Sequence, residues 1–261
     1  MQWETVSVEG DGSLRHLVLN RPQVRNAVNT QLLIDLNAAC AYLGNQPECR
    51  VVILRGEGAS FCAGADLKEG LVHGAALRDV VYRSRLGTRA IQSLRQLPPV
   101  TIAAVHGHAI GGGACFPTAC DFRIATRSVK VSVREASLGV SLSWNALPNF
   151  VHLVGPSRAK EMIMFGEMYD ADTLQAYGYF NQVVPDDDLL AAAQRLADKV
   201  LRQPPLPVEM TKASINAMVH ALDHSLFHMD DYALALTGRS QDAARARDAF
   251  FRGDAPTWQF D

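Results

Sequence analysis

The sequence His106-Gly-His-Ala-Ile-Gly-Gly-Gly-Ala-Cys-Phe116 joins an apolar run to a stretch typical of a buried helix. The preceding run, Val100 to Val105, predicts a buried strand, whereas Ala114 to Ala119 predicts the beginning of a helix. The three glycines, Gly111 to Gly113, would form the turn between them. Glycine lets a ligand approach the main chain, and unpaired N–H groups at a helix start attract negative charge. The stretch therefore predicts an anion-binding turn, with tight helix packing as the alternative.

A second strand followed by glycine lies earlier in the chain. Val51 to Leu54 predicts a buried strand, and the sequence Phe61-Cys-Ala-Gly-Ala-Asp-Leu-Lys-Glu69 follows it. The chain therefore contains two similar units in which a strand leads into a glycine turn.

These two units and three further blocks resemble the crotonase family, also called the enoyl-CoA hydratase/isomerase superfamily. The matching blocks are Leu19 to Pro22 with Asn26-Ala27, Phe61 to Glu69, Gly107 to Asp121, Glu135 to Gly139, and Gly155 to Gly166. The resemblance implies an α/β, ClpP/crotonase-like fold of repeated strand-strand-helix units with a C-terminal helical subdomain. It divides the chain into a core domain over residues 1–200, which holds a CoA-thioester site, and a helical oligomerisation subdomain over residues 201–261.

The resemblance also assigns an oxyanion hole. A thioester that becomes an enolate develops negative charge on its oxygen, and two fixed N–H donors stabilise that charge. The resemblance places these donors on the backbone of Ala65 and Gly112, and each of these residues directly follows a glycine. The residues assigned to CoA binding are Arg25, Ala63, Ala65, Asp66, Leu67 and Gly112. A solvated surface charge is the alternative for Arg25, and a helix cap is the alternative for Asp66.

Glu135 matches the position of the family's catalytic glutamate, which a Leu-Gly pair follows. Moving a proton on the carbon chain of a thioester requires such a carboxylate. Hydratases of the family usually carry a second glutamate shortly after the glycine triplet, where this chain has Cys115. One carboxylate suffices to move a proton between two carbons, so the pattern favours the single-glutamate Δ3,Δ2-enoyl-CoA isomerases.

Two further residues are candidates for the pocket. Cys115 lies one helical turn after Gly112 and could be a thiolate nucleophile, since a helix N-terminus lowers the pKa of a thiol, or a small core residue. Trp144 stands where hydratases usually have a glycine-rich run, and it is expected either to fill part of the acyl pocket or to pack in the core.

We therefore expect an enzyme that stabilises a thioester enolate in a backbone oxyanion hole and isomerises the double bond of an enoyl-CoA. The alternatives are an enoyl-CoA hydratase, then an acyl-CoA hydrolase or decarboxylase, or a non-catalytic CoA-binding subunit. Coenzyme A enters as part of the substrate, and neither a separate cofactor nor a metal is expected. By resemblance, the protein is expected to form a homotrimer or a dimer of trimers.

The amino-acid composition limits the kinds of binding partner and the cell compartment that we expect. The net charge of −2 lacks the basic excess of nucleic-acid-binding proteins. Five cysteines without a Cys-x-x-Cys pair indicate a reducing, cytoplasmic environment rather than disulfides or zinc. Neither a signal-peptide pattern nor eighteen consecutive apolar residues are present, so secretion and membrane insertion are not expected.

The remaining sequence predicts local elements. Thr5 to Glu9 and Leu14 to Leu19 predict a hairpin, and Asn29-Thr30 predicts the cap of a helix. The segment from Glu69 to Gln96 is helical by composition, with expected interruptions at Gly70, Gly74 and Gly87. Three helical segments are expected after Pro204 to Pro207.

Overall fold

The fold contains one large and one small β-sheet with helices packed around them. The computed structural model describes residues 1–66, 69 and 76–261. The strands are β1 (Val6–Glu9), β2 (Leu14–Leu19), β3 (Val51–Gly56), β4 (Val100–Val105), β5 (His108–Ile110), β6 (Phe122–Thr126), β7 (Lys130–Ser132), β8 (Tyr169–Asp170) and β9 (Gln182–Val184). The helices are α1 (Thr30–Gly44), α2 (Leu77–Arg95), α3 (Gly112–Thr118), α4 (Leu147–Phe165), α5 (Ala171–Tyr177), α6 (Leu189–Leu201), α7 (Pro205–Val219), α8 (His224–Thr237) and α9 (Gln241–Arg252).

The large sheet has six strands in the order β1-β2-β3-β4-β6-β9. Strands β1 and β2 pair antiparallel, which confirms the predicted hairpin, and the other neighbours pair parallel. The small sheet has the order β5-β7-β8 and lies beside the glycine-rich turn, because β5 directly precedes α3. The glycine turns follow the carboxyl ends of β3 and β5. The expectation that the glycine triplet directly joins Val100–Val105 to a helix is wrong, because β5 lies between β4 and Gly111.

Strand β3 is buried on both faces, as its continuous apolar sequence predicts. Side chains alternate between the faces of a strand, so Val51 and Ile53 pack in the cluster that contains α6 residues such as Ala193. Val52 and Leu54 belong to the larger cluster on the opposite face. This packing fixes the end of β3 and thereby the loop that carries Ala65.

The predicted helix boundaries are confirmed at α1 and corrected at α2. The Asn29 side chain accepts a hydrogen bond from the Leu32 N–H at 2.9 Å and caps α1 as predicted. The interruption expected at Gly87 is wrong, because α2 runs without a break from Leu77 to Arg95. Gly87 instead lies beneath the indole of Trp144, where a Cβ would overlap the ring. Gly70 and Gly74 lie outside the described residues.

The C-terminal helices return to the core. Helix α8 packs against α2, and α9 packs over the turn that follows Glu135. A Cβ on Gly139 in that turn would lie 2.7 Å from the Cα of Ala243, so the two backbones are in close contact. Helix α6 ends at Leu201 and α7 begins at Pro205, and the domain division at residue 200 stays a prediction. None of the described helices has the length and hydropathy that a membrane crossing requires.

Candidate active site

The two glycine turns meet backbone to backbone. The Cys62 N–H donates to the His108 carbonyl and the Ile110 N–H donates to the Cys62 carbonyl, each at 3.0 Å. A Cβ on Gly64 would lie 2.7 Å from the Ile110 carbonyl oxygen, and a Cβ on Gly113 would overlap the Cys62 carbonyl. The glycines therefore permit a close contact between the loops after β3 and after β5, which brings the two sequence motifs together.

Two backbone N–H groups lie beside this contact. Ala65 follows Gly64, which has a φ of +87°, and Gly112 begins α3 after Gly111, which has a φ of +52°. Neither the Ala65 N–H nor the Gly112 N–H has an acceptor among residues 1–66, 69 and 76–261. Both residues line a cavity of about 410 Å³. The cavity therefore holds two N–H donors, one of them at a helix start, where the helix dipole favours negative charge.

Glu135 lies over the first glycine of the triplet. It follows β7 and begins a short 3-10 turn over Ala136–Leu138. Its Oε1 lies 3.0 Å from the position of a Cβ built on Gly111, so the absence of a side chain there makes room for the carboxyl group. Its Oε2 is buried and has no hydrogen-bond partner in the described part of the chain.

The surroundings of Glu135 disfavour its charged form. Burial raises the pKa of Glu135 to about 7, because the carboxylate loses water without gaining a cationic partner. A carboxyl group with a pKa near 7 can exist in either protonation state at neutral pH, which suits a group that takes up a proton and returns it.

Cys115 lines the same cavity one turn after Gly112. The residue is only 1% exposed, and burial raises the pKa of its thiol well above the usual value, with the nearby charges of Glu135 and Asp230 adding to the effect. The thiol is therefore protonated at neutral pH. Since the thiolate is the nucleophilic form, this environment disfavours covalent chemistry at Cys115 and favours an apolar contact.

Trp144 lines the cavity and also packs against the hydrophobic core, so it combines the two alternatives that its position in the sequence left open. Its ring stacks on Phe116 with centroids 5.6 Å apart and an interplanar angle of 24°. A Cβ on Gly112 would overlap the indole, so the ring lies directly against the helix start that carries one of the N–H donors. Trp144 therefore forms an aromatic wall of the cavity, and Phe116 packs against its ring.

Three of the other residues assigned to CoA binding lie at the cavity, namely Arg25, Ala63 and Asp66. Arg25 is exposed with a φ of +52°, and its carbonyl accepts from the Ala63 N–H at 2.9 Å. Asp66 forms an ion pair with Arg21 at 2.9 Å. Leu67 lies outside the described residues.

The C-terminal helices also contribute to this region, and sequence reasoning missed Asp230 among their residues. Phe250 of α9 lines the cavity, and Asp230 of α8 accepts a hydrogen bond from the Asn145 N–H at 3.0 Å. Burial raises the pKa of Asp230 to about 6, an effect that the hydrogen bonds from the Asn145 and Trp144 backbone partly offset. Asp230 is 85 residues from Asn145 along the chain, and no local pattern marks it.

A separate cluster has the residue types of a metal site. His152, His220 and Asp223 offer ligand atoms that all lie within 4.8 Å of one another. Asp223 pairs with His152 at 2.9 Å and with His220 at 2.6 Å. Arg95 lies 3.7 Å from the same carboxylate, so the negative charge already has a cationic partner. The expectation that the protein uses no metal stays a prediction.

Comparison with known proteins agrees with this architecture. A sequence model of the family described as "Enoyl-CoA hydratase/isomerase" matches residues 9–260. The chain is 28% identical to a crotonyl-CoA hydratase from Syntrophomonas wolfei over 96% of each chain, and 34% identical to the enoyl-CoA isomerase/hydratase fer4 from Mycosarcoma maydis over 77% of this chain and 76% of that protein.

A solved structure extends the comparison to three dimensions. The crystal structure of an enoyl-CoA hydratase from Bacillus anthracis aligns with a TM-score of 0.79 at 30% identity, covering 99% of this chain and 100% of the other. This match confirms the predicted α/β crotonase fold. The chain belongs to the crotonase family of enzymes, the enoyl-CoA hydratases and isomerases.

Proposed function

We propose that this protein binds an acyl-CoA thioester and isomerises the double bond of an enoyl-CoA with Glu135 as its one proton-transferring residue. The observation that carries the proposal is the Glu135 carboxyl group, which lies against Gly111 and whose buried Oε2 has no hydrogen-bond partner in the described part of the chain. Cys115 occupies the place after the glycine triplet where hydratases of the family usually carry another glutamate.

The proposed reaction begins with the thioester oxygen accepting hydrogen bonds from the Ala65 and Gly112 N–H groups. The Glu135 carboxylate removes a proton from the carbon between the carbonyl and the double bond of a 3-enoyl-CoA. The electron pair moves onto the thioester oxygen and forms an enolate. The protonated Glu135 then returns the proton to the far carbon of the former double bond, which leaves a 2-enoyl-CoA and a regenerated carboxylate.

Fixed donors supply part of the rate enhancement. Loss of one oxyanion-hole donor raises a barrier by roughly 3–4 kcal/mol in other enzymes, since such donors need not reorient as charge develops. The close contact of the two glycine turns fixes the loops that carry Ala65 and Gly112. The rigid turn geometry thus supports a role in stabilising the enolate.

Hydration is the second candidate function, because relatives of this chain are named hydratases. Adding water across a double bond normally uses a second carboxylate in this family. The other carboxylate whose charge affects Cys115 is that of Asp230, which is engaged with the Asn145 N–H. This arrangement favours isomerisation, and hydrolysis, decarboxylation and a purely CoA-binding role rank below hydration.

A homotrimer or a dimer of trimers is part of the proposal. Large apolar side chains on α7 and α8 are exposed in the single chain, which supports association through these helices. They include Met210, Ile215, Met218, Leu226 and Met229.

The proposal is tested with purified protein, a 3-enoyl-CoA and a 2-enoyl-CoA in deuterium oxide, followed by mass spectrometry. Isomerisation converts the 3-enoyl-CoA without a gain of water, and solvent deuterium enters the product when the protonated Glu135 exchanges with solvent before it returns its proton. Glu135→Gln should abolish both conversion and deuterium incorporation. Water addition by the wild type at a rate exceeding isomerisation would instead assign the hydratase function.

Cys115→Glu tests the role of the missing second carboxylate, with Cys115→Gln as a control of similar size. The glutamate variant should gain hydration of a 2-enoyl-CoA, and the glutamine variant should not. Circular dichroism and thermal unfolding establish that both variants are folded. Equal hydration by the two variants would contradict the view that the cysteine selects isomerisation over hydration.

A further inference from the structure

The backbone of Trp144 adopts a conformation that is unusual for a residue with a large side chain. Trp144 and Asn145 have φ values of +67° and +53°, so two consecutive residues other than glycine adopt the left-handed conformation. L-residues with side chains adopt this conformation rarely, and a strained backbone of this kind persists only where surrounding contacts hold it. The surrounding structure must therefore fix this loop.

Helix α8 provides the contacts that hold the Trp144–Asn145 loop in place. Asp230 accepts from the Asn145 N–H at 3.0 Å, and the neighbouring Asp231 accepts from the Ser84 hydroxyl of α2 at 2.6 Å. Adjacent residues of α8 thus hold the Trp144 loop on one side and α2 on the other. Since Ser84 and Trp144 both line the cavity, α8 sets the separation of two of its walls.

The indole fills the space between α2 and α3. Its five-membered ring lies against Gly87 of α2, and its six-membered ring lies against Gly112 of α3, with no room for a Cβ at either position. Phe116 stacks on the ring at 5.6 Å. The indole therefore occupies volume directly beside the proposed oxyanion hole.

We propose that Trp144 closes the acyl pocket and restricts the protein to short acyl groups, and that Asp230 is a positioning residue that holds Trp144 in place. This inference rests on the proposed function in that the ligand is an acyl-CoA thioester. The indole lies against Gly112, so an acyl chain that extends from a carbonyl bound at the Gly112 N–H towards Trp144 has little space. Longer chains would require the indole to move.

The first test measures the binding of butyryl-CoA, octanoyl-CoA and palmitoyl-CoA by isothermal titration calorimetry. These saturated thioesters lack the double bond, so affinity is measured separately from turnover. The wild type should bind butyryl-CoA at least as tightly as the longer thioesters. Each methylene that gains burial strengthens binding about fourfold, so Trp144→Ala should tighten octanoyl-CoA binding at least about tenfold relative to butyryl-CoA. Trp144→Phe, the matched control, should change this ratio less.

The second test separates the role of Asp230 from a general effect on folding. Asp230→Asn keeps an oxygen that can accept from the Asn145 N–H and should keep the wild-type preference. Asp230→Ala removes the acceptor and should shift the preference towards octanoyl-CoA in the same direction as Trp144→Ala. An unchanged chain-length preference in Asp230→Ala would overturn the positioning role.

A double-mutant cycle tests the packing itself and covers the case in which Trp144→Ala binds no ligand. Gly87→Ala should lower the melting temperature in the wild type, because the new methyl group overlaps the indole, but not in the Trp144→Ala background. Equal effects in both backgrounds would overturn the placement of the ring. Binding of all three thioesters without selectivity would overturn the inference alone, whereas no binding by any would overturn the proposed function as well.

Discussion

Glu135 and Asp223 are two buried carboxyl groups whose pKa values shift in opposite directions. Burial raises the pKa of Glu135 to about 7, and its Oε2 has no partner in the described structure. Burial also acts to raise the pKa of Asp223, but hydrogen bonds from His152 and His220 lower it below the usual range. Two carboxyl groups thus behave differently: Glu135 can exchange a proton near neutral pH, whereas Asp223 keeps its negative charge.

The difference shows that this chain places a carboxyl group suited to proton transfer and a carboxyl group that links helices in separate regions. Asp223 joins three elements, because His152 lies on α4, His220 follows α7 and Arg95 ends α2. Among the described residues the Glu135 side chain forms no ion pair, and it lies against glycine backbone and the apolar wall of the cavity. Removing one partner of a buried ion pair destabilises a fold, because the other charge is then left unpaired, whereas a buried acid without a partner lowers stability whenever it is ionised.

The largest expected effect is on catalysis. Glu135→Gln should lower kcat/KM for isomerisation by about a thousandfold, since general acid-base groups contribute roughly 10²- to 10⁴-fold. Glu209→Gln, at an exposed position on α7, is the control and should leave kcat/KM unchanged. Steady-state kinetics on a 3-enoyl-CoA gives the comparison. A loss below tenfold would mean that another group transfers the proton.

The second effect is on stability. Asp223→Ala should lower the free energy of unfolding by about 3 kcal/mol, because it leaves Arg95 and two histidines without their shared carboxylate. Asp172→Ala, which breaks an exposed pair with Arg127, should lower it by less than about 1 kcal/mol. Urea denaturation at pH 7 measures both values. Equal values would remove the distinction between the two carboxyl environments.

The third effect is the pH dependence of stability. Because the folded pKa of Glu135 lies above its unfolded value, the folded state loses stability as the pH rises from the ordinary glutamate range to about 7. Glu135→Gln cannot ionise and should therefore be more stable than the wild type by about 3 kcal/mol at pH 8, with a smaller difference near pH 5. Denaturation curves across this range test the sign. A difference that does not grow with pH would indicate an ordinary pKa for Glu135.

The sequence predicted the strands and the site residues that lie within continuous motifs. The hairpin, the Asn29 cap and the apolar strand before Gly107 are local patterns, and the structure confirms them. The positions of Ala65, Gly112 and Glu135 followed from the family resemblance, and the structure brings all three to one cavity. Their catalytic roles stay a prediction.

Long-range contacts explain what the sequence did not predict. Gly87 has low helix propensity, and the expected break there was wrong because tertiary packing against Trp144 accounts for the glycine. Asp230 has no local signature, since its partner Asn145 is 85 residues away. His152 and Asp223 are 71 residues apart and meet only through the packing of the C-terminal helices.

The smallest expected effect concerns Cys115. Its thiol is buried and protonated, so Cys115→Ala should change kcat/KM less than about threefold and lower stability by about 1 kcal/mol through the loss of packing. Steady-state kinetics and urea denaturation measure the two effects. Modification by iodoacetamide at pH 7 should also be slow, because this reagent reacts with the thiolate. A hundredfold loss of activity with intact folding would instead identify Cys115 as a nucleophile, and Glu135 would then no longer be the one group that acts on the substrate.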